Sequence, residues 1–150
     1  MTIIWAKNYK KIIMGNLFVD TSGWANLIDI SQPYHNLAVE IYHERRSQKH
    51  RIITTNYIIC ELVALLSSPL RIPRKKVVAF IQSLKRSPYL QIIHINSETD
   101  SQAWELLTQR EDKNWSLVDC SSFIIMKQDK ITEALTNDHH FEQAGLIKLL

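Results

Sequence analysis

Leu17-Phe18-Val19-Asp20-Thr21-Ser22-Gly23 decides how this chain folds. Three apolar residues in a row, bounded by Gly15-Asn16 on one side and Thr21-Ser22-Gly23 on the other, read as a short buried strand. A helix around residues 22–28 should follow it. Asp20 ends the apolar run, which puts a carboxylate at the carboxyl end of that strand.

Working outward, strands and helices alternate. After Pro33, residues 34–49 place Leu37, Ala38, Ile41 and Tyr42 on one helical face. Residues 51–54 (Arg-Ile-Ile-Thr) form a second strand, and a helix over 56–67 ends before Pro69. Another helix starts near Pro73, where a missing N–H is tolerated, with Val77, Phe80, Ile81 and Leu84 in period. Pro88 breaks it, and residues 90–95 read as a third strand. Ser97-Glu98-Thr99-Asp100 is a capping signal for a helix reaching Gln109. Residues 116–127 form a further helix, Leu135-Thr136 a fourth strand, and residues 147–150 a fifth. This alternation specifies one α/β domain with a parallel sheet covered on both faces. Ligands of such sheets gather outside the carboxyl ends of the strands, where strand order reverses.

The bulk composition fits. Of 150 residues, 45% are hydrophobic, enough to fill a core, and three Gly with four Pro leave few tight turns. Cys60 and Cys120 lie in apolar segments without metal-like spacing, so both are expected in the core. No apolar run approaches the ~20 residues that span a bilayer. With no signal-peptide pattern in residues 1–14, a cytoplasmic protein is expected. The net charge of +3 conceals an imbalance: residues 1–90 carry +8 and residues 91–150 carry −5. Arg45-Arg46-Lys49-Arg51, Arg71-Arg74-Lys75-Lys76 and Lys85-Arg86 are the basic clusters. They suit a phosphate backbone, and they equally suit ordinary solvated helix faces.

Four carboxylates carry the chemistry. Glu61 interrupts Tyr57-Ile58-Ile59-Cys60-Glu61-Leu62-Val63-Ala64, where an unpaired ionised acid would be costly; a salt bridge to a distant Arg or Lys is the plain alternative. Asp119 completes Ser116-Leu117-Val118-Asp119, which is also a capping box. Asp20 and Asp138, the latter just past Ala134-Leu135-Thr136, could equally cap the helices after them. Each is weak alone. As a set brought together by the fold, they would repel unless hard cations offset them, which points to a Mg²⁺- or Mn²⁺-type site for phosphodiester chemistry. Asp29, Asp100, Asp112 and Asp129 sit in polar settings and are assigned to solvent. His94, His139 and His140 are assigned structural or substrate-side roles, because an oxygen-rich site suits hard cations better than zinc. Trp24, Trp104 and Trp115 offer stacking surfaces for bases, but core packing is the expected role of each.

Phe18-Val19-Asp20-Thr21-Ser22, the Glu61 helix after Ile53-Thr54-Thr55-Asn56, Ser116-Leu117-Val118-Asp119-Cys120 and Leu135-Thr136-Asn137-Asp138-His139-His140-Phe141 occur in the order seen in PIN domains. The chain resembles that family over residues 16–150, and within it the VapC-like ribonuclease toxins of type II toxin–antitoxin systems. The resemblance implies a single α/β/α sandwich with a central, mainly parallel sheet of four to five strands. It also implies a metal-dependent endoribonuclease leaving 5′-phosphate and 3′-hydroxyl ends, which dimerises and is inhibited by an antitoxin protein. Carried over by position, Asp20, Glu61, Asp119 and Asp138 would be catalytic and hold Mg²⁺ or Mn²⁺, with Ser22, Thr136 and Asn137 in support. Two departures stand out. Cys120 replaces a residue that is commonly small, such as Ala, and residues 1–15 precede a strand that usually starts almost at the first Met. Met14-Gly15-Asn16-Leu17 looks like a natural start, so residues 1–13 are expected to be dispensable or not native. A non-catalytic PIN module binding RNA or a protein, and a phosphohydrolase acting on small phosphoesters, are the competing classes.

Overall fold

The computed structural model describes residues 15–150; the expectation about residues 1–13 lies outside them. Five strands form one sheet: β1 (Leu17–Val19), β2 (Ile52–Thr55), β3 (Leu90–Ile93), β4 (Glu133–Leu135) and β5 (Ile147–Lys148). Their order is β3-β2-β1-β4-β5, and every pair is parallel. The helices are α1 (Thr21–Ile28), α2 (His35–Ser47), α3 (Asn56–Ser67), α4 (Arg74–Arg86), α5 (Ser97–Gln109), α6 (Leu117–Gln128) and α7 (His139–Gln143). They pack in two groups, α1 to α4 and α5 to α7. The three residues of β1 are wholly buried, as are Ile52, Ile53, Ala134 and Leu135 beside them, because central parallel strands have helices on both faces.

Strand order positions the functional end. From β1 the chain moves outward to β2 and β3, then returns to the other side of β1 for β4 and β5. The reversal falls between β1 and β4, whose register pairs Leu17 with Glu133, Phe18 with Ala134 and Val19 with Leu135. Asp20 and Thr136 therefore follow directly from paired residues and leave the sheet side by side. At the opposite end of β4, Glu133 is buried in an ion pair with Arg45 of α2, and Arg45 Nη1 also donates to the Gly15 carbonyl at 2.8 Å.

Some local expectations give way. The cap of α5 is Asn96, whose side chain accepts from Thr99 N, and not Ser97; Asp100 instead accepts from the Tyr57 hydroxyl. Leu37 and Trp104 are exposed, and so is Cys60, since each lies at the margin of an apolar stripe that its neighbours already fill. Trp24, Trp115 and Cys120 are buried as expected.

α1 approaches the β1–β4 crevice so closely that only glycine fits at position 23. A Cβ there would lie 2.0 Å from the Leu135 carbonyl oxygen and 3.0 Å from Val19 Cγ1. Because the first obstacle is strand backbone, Gly23→Ala should force α1 off β4 and destabilise the protein by ~3 kcal/mol. Urea unfolding measures this, and a loss below ~1 kcal/mol would show that α1 moves freely.

Candidate active site

Asp20 is 7% exposed and caps α1. Its Oδ1 accepts from Gly23 N and from Ser22 Oγ, both at 2.9 Å, and its Oδ2 accepts from Thr136 Oγ1 at 2.7 Å. Thr136 Oγ1 in turn accepts from the Asp138 peptide N–H at 3.0 Å, and Ser22 Oγ lies 3.1 Å from Thr136 Oγ1. The Asn137 peptide N–H donates to Ser22 Oγ at 3.1 Å. Two hydroxyls thus join the ends of β1 and β4 through one carboxylate. Asn137 takes part through its backbone, and its exposed position gives no sign of the side chain orienting Asp138.

Glu61 arrives from β2. Thr55 caps α3 by accepting from Ile58 N, and Glu61 lies nearly two turns along. It is half-buried at the edge of the apolar face rather than at its centre, since Ala64 is exposed. Its Oε1 accepts from Thr21 Oγ1, a side chain of α1 that sequence reasoning passed over. The only signal for Thr21 was its adjacency to Asp20.

Asp119 makes the capping box at the start of α6: Ser116 Oγ accepts from Asp119 N, and Asp119 Oδ2 accepts from Ser116 N. The same oxygen lies 3.2 Å from His140 Nδ1. Asp138 caps α7 and accepts from His140 N at 2.9 Å. Capping and clustering are therefore compatible for three of the four acids. Asp138, His139 and His140 bring ligand atoms within 4.8 Å of one another.

The charges of these acids act on one another. Burial pushes Asp20 up to about 7; its three hydrogen bonds act against the rise and the Asp138 charge adds to it. Burial also raises Glu61, the Thr21 hydroxyl pulls it back, and Asp119 and Asp138 push it further up. Among the described residues no Lys or Arg pairs with any of the four. Hard oxygen donors with an uncompensated negative charge fit a divalent cation of the Mg²⁺ class.

A profile of the PIN domain matches residues 17–146. The chain belongs to the PIN-domain family. It is 29% identical over 133 residues to the 23S rRNA-specific endonuclease VapC20 of Mycobacterium tuberculosis, in two strains, covering 89% of this chain and 97% of that protein. The crystal structure of M. tuberculosis VapC20, a sarcin–ricin loop cleaving toxin, superposes with a TM-score of 0.79 at 28% identity, covering 89% of this chain and 98% of that one. FitAcB from Neisseria gonorrhoeae, at 16% identity and a TM-score of 0.64 over 89% and 96% of the two chains, shares the PIN fold. No helix among the described residues is long and apolar enough to cross a membrane.

The raised Asp20 value has a direct consequence for PIN-fold stability without metal. The folded state holds the Asp20 proton more tightly than the unfolded chain does, so the stability from this group is full below about pH 4 and is lost as pH rises towards about 7. Asn at position 20 cannot ionise, and it keeps the Oδ1 contacts. The Thr136 hydroxyl can turn its proton to Ser22 Oγ and accept from the new amide. In EDTA, Asp20→Asn should gain ~2–3 kcal/mol relative to wild type between about pH 5 and about pH 7.5. Urea unfolding at both pH values measures the difference; equal stabilities throughout would mean that Asp20 titrates normally.

Proposed function

We propose that this PIN domain is a divalent-cation-dependent endoribonuclease of the toxin class, with Asp20, Glu61, Asp119 and Asp138 as its catalytic acids. The observation that carries the reading is the convergence of these acids at the β1–β4 reversal with no Lys or Arg partner among the described residues. The family match and a relative of nearly equal length, itself a 23S rRNA-specific endonuclease, support the ribonuclease class. Ribosomal RNA is accordingly the first substrate class to test.

The four carboxylates would hold Mg²⁺ or Mn²⁺. When bound, such a cation lowers the pKa of a water and offsets charge on the phosphate. The chain's own groups do the positioning. Ser22 and Thr136 fix the plane of Asp20 by donating to opposite oxygens, and Thr136 also holds the Asp138 backbone. Thr21 holds Glu61. The exposed basic residues Lys49, Arg51, Arg74, Lys75, Lys76, Lys85 and Arg86 would attract RNA through counterion release, while Arg45 is taken up by Glu133. The toxin reading brings with it an antitoxin that covers the site, a homodimer and a cytoplasmic location.

Metal-stripped protein should leave RNA intact, and Mg²⁺ or Mn²⁺ should restore cleavage with 5′-phosphate ends. Asp138→Asn, which keeps the oxygen that caps α7, should lose at least ~100-fold in rate while unfolding at a similar urea concentration. Gel analysis of 23S rRNA, intact ribosomes, tRNA and mRNA, beside chromatography of small phosphoesters, reads the outcome. RNA that binds without being cut would favour a non-catalytic module, and hydrolysis confined to the small esters would favour a phosphohydrolase. Full cleavage in EDTA would end the metal assignment.

A further inference from the structure

His140 lies outside the four-acid set, yet one ring nitrogen faces two of its members. Nδ1 is 3.2 Å from Asp119 Oδ2 and 3.4 Å from Asp138 Oδ1. The side chain is 19% exposed, so both contacts are partly shielded from water. The two carboxylates come from different elements: Asp119 rides on the first turn of α6, and Asp138 caps α7 after β4. Backbone bonds within each element fix neither one relative to the other. His140 also donates its peptide N–H to Asp138 Oδ1 at 2.9 Å. It therefore grips Asp138 by the main chain and reaches Asp119 with the ring.

We propose that His140 is a positioning residue: its Nδ1–H ties Asp119 to Asp138 and sets the separation at which the two carboxylates take up the cation. The proposal rests on the metal-dependent reading above. The physical reason is that two like charges brought together by the fold drift apart unless a donor sits between them. Outer partners that orient ligating carboxylates typically contribute 10–100-fold to metal affinity. His139, beside it, does not share the role. Its ring is 70% exposed and its Nδ1 is 3.7 Å from Asp138 Oδ1, with no contact to Asp119. A direct ligand role for His140 is the competing chemistry, since imidazole nitrogen suits transition metals better than Mg²⁺.

Asn and Leu are isosteric, and Asn Nδ2 occupies the place of histidine Nδ1, so one pair of variants isolates the donor. Mn²⁺ binding is measured by calorimetry on wild type, His140→Asn and His140→Leu, with circular dichroism to confirm folding. Electron spin-echo spectroscopy of the bound Mn²⁺ reports any directly coordinated nitrogen. The expected result is Mn²⁺ binding by His140→Asn within ~3-fold of wild type, binding by His140→Leu at least ~10-fold weaker, and no coordinated imidazole nitrogen in wild type. A Leu variant that binds as tightly as wild type, an Asn variant ~10-fold weaker than wild type, or a coupled imidazole nitrogen each overturns the tie. If the Leu variant does not fold, the Asn variant and the spectrum still decide the matter. Wild type that takes up no Mn²⁺ sinks the metal-dependent reading itself, and the tie with it.

Discussion

Asp20 lies beneath the ends of β1 and β4 with three hydrogen-bond donors and, among the described residues, no cationic side chain. Withdrawing a carboxylate from water costs several kcal/mol, and donors to a charged group each return ~1.5–3 kcal/mol. Here the return falls short, as the rise of Asp20 to about 7 records. The described residues therefore surround a negative charge that none of their Lys or Arg side chains neutralises. Everything near this point either keeps Asp20 in place or adds to the deficit. Ser22, Gly23 and Thr136 do the first; Glu61, Asp119 and Asp138 do the second.

The same acids serve the backbone. Asp20 and Asp138 cap α1 and α7, and Asp119 closes the capping box of α6. A helix N-terminus carries partial positive charge, so these three carboxylates are placed where the backbone offers some relief. Glu61 has no such relief, being nearly two turns into α3, and relies on the Thr21 hydroxyl. The split explains why capping was a sound reading of three acids, whereas for Glu61 the plain alternative was a salt bridge. A cap needs only one carboxylate oxygen, and the other remains free for different work.

Much of the fold could be read from the chain because the core strands are short, apolar runs between turn residues, and parallel pairing follows from the intervening helices. The acids stood out because Asp20 and Asp138 follow strand-like runs, Glu61 interrupts a buried helix and Asp119 opens another. What escaped notice depends on contacts distant in sequence. Thr21 matters only because α3 passes beside α1, and Gly23 only because the Leu135 carbonyl comes within 2.0 Å of its missing Cβ. His140 looked peripheral because metal preference argued against nitrogen as a ligand, an argument that leaves its donor capacity untouched. Trp104 and Cys60 were expected in the core because periodicity marks an apolar stripe without marking its edges. Asn96 was missed as a cap because Ser97 offered the same chemistry one residue later.

β4 has three residues, too few for its ladder alone to hold a register, and a slip by one would turn every side chain to the other face. It is fastened at both ends by polar contacts instead. At the amino end, Glu133 is buried against Arg45, which also holds the Gly15 carbonyl just before β1. At the carboxyl end, Thr136 is bound to Asp20, just after β1. A buried ion pair contributes little net stability against a well-packed apolar pair, and its best-attested use is to specify one arrangement over its neighbours. Shifting β4 by a residue would break both fastenings at once, leaving Arg45 buried without its carboxylate and Asp20 without the Thr136 hydroxyl. The ion pair at one end of the sheet thus protects the alignment that delivers Thr136 and Asp138 to the acids at the other.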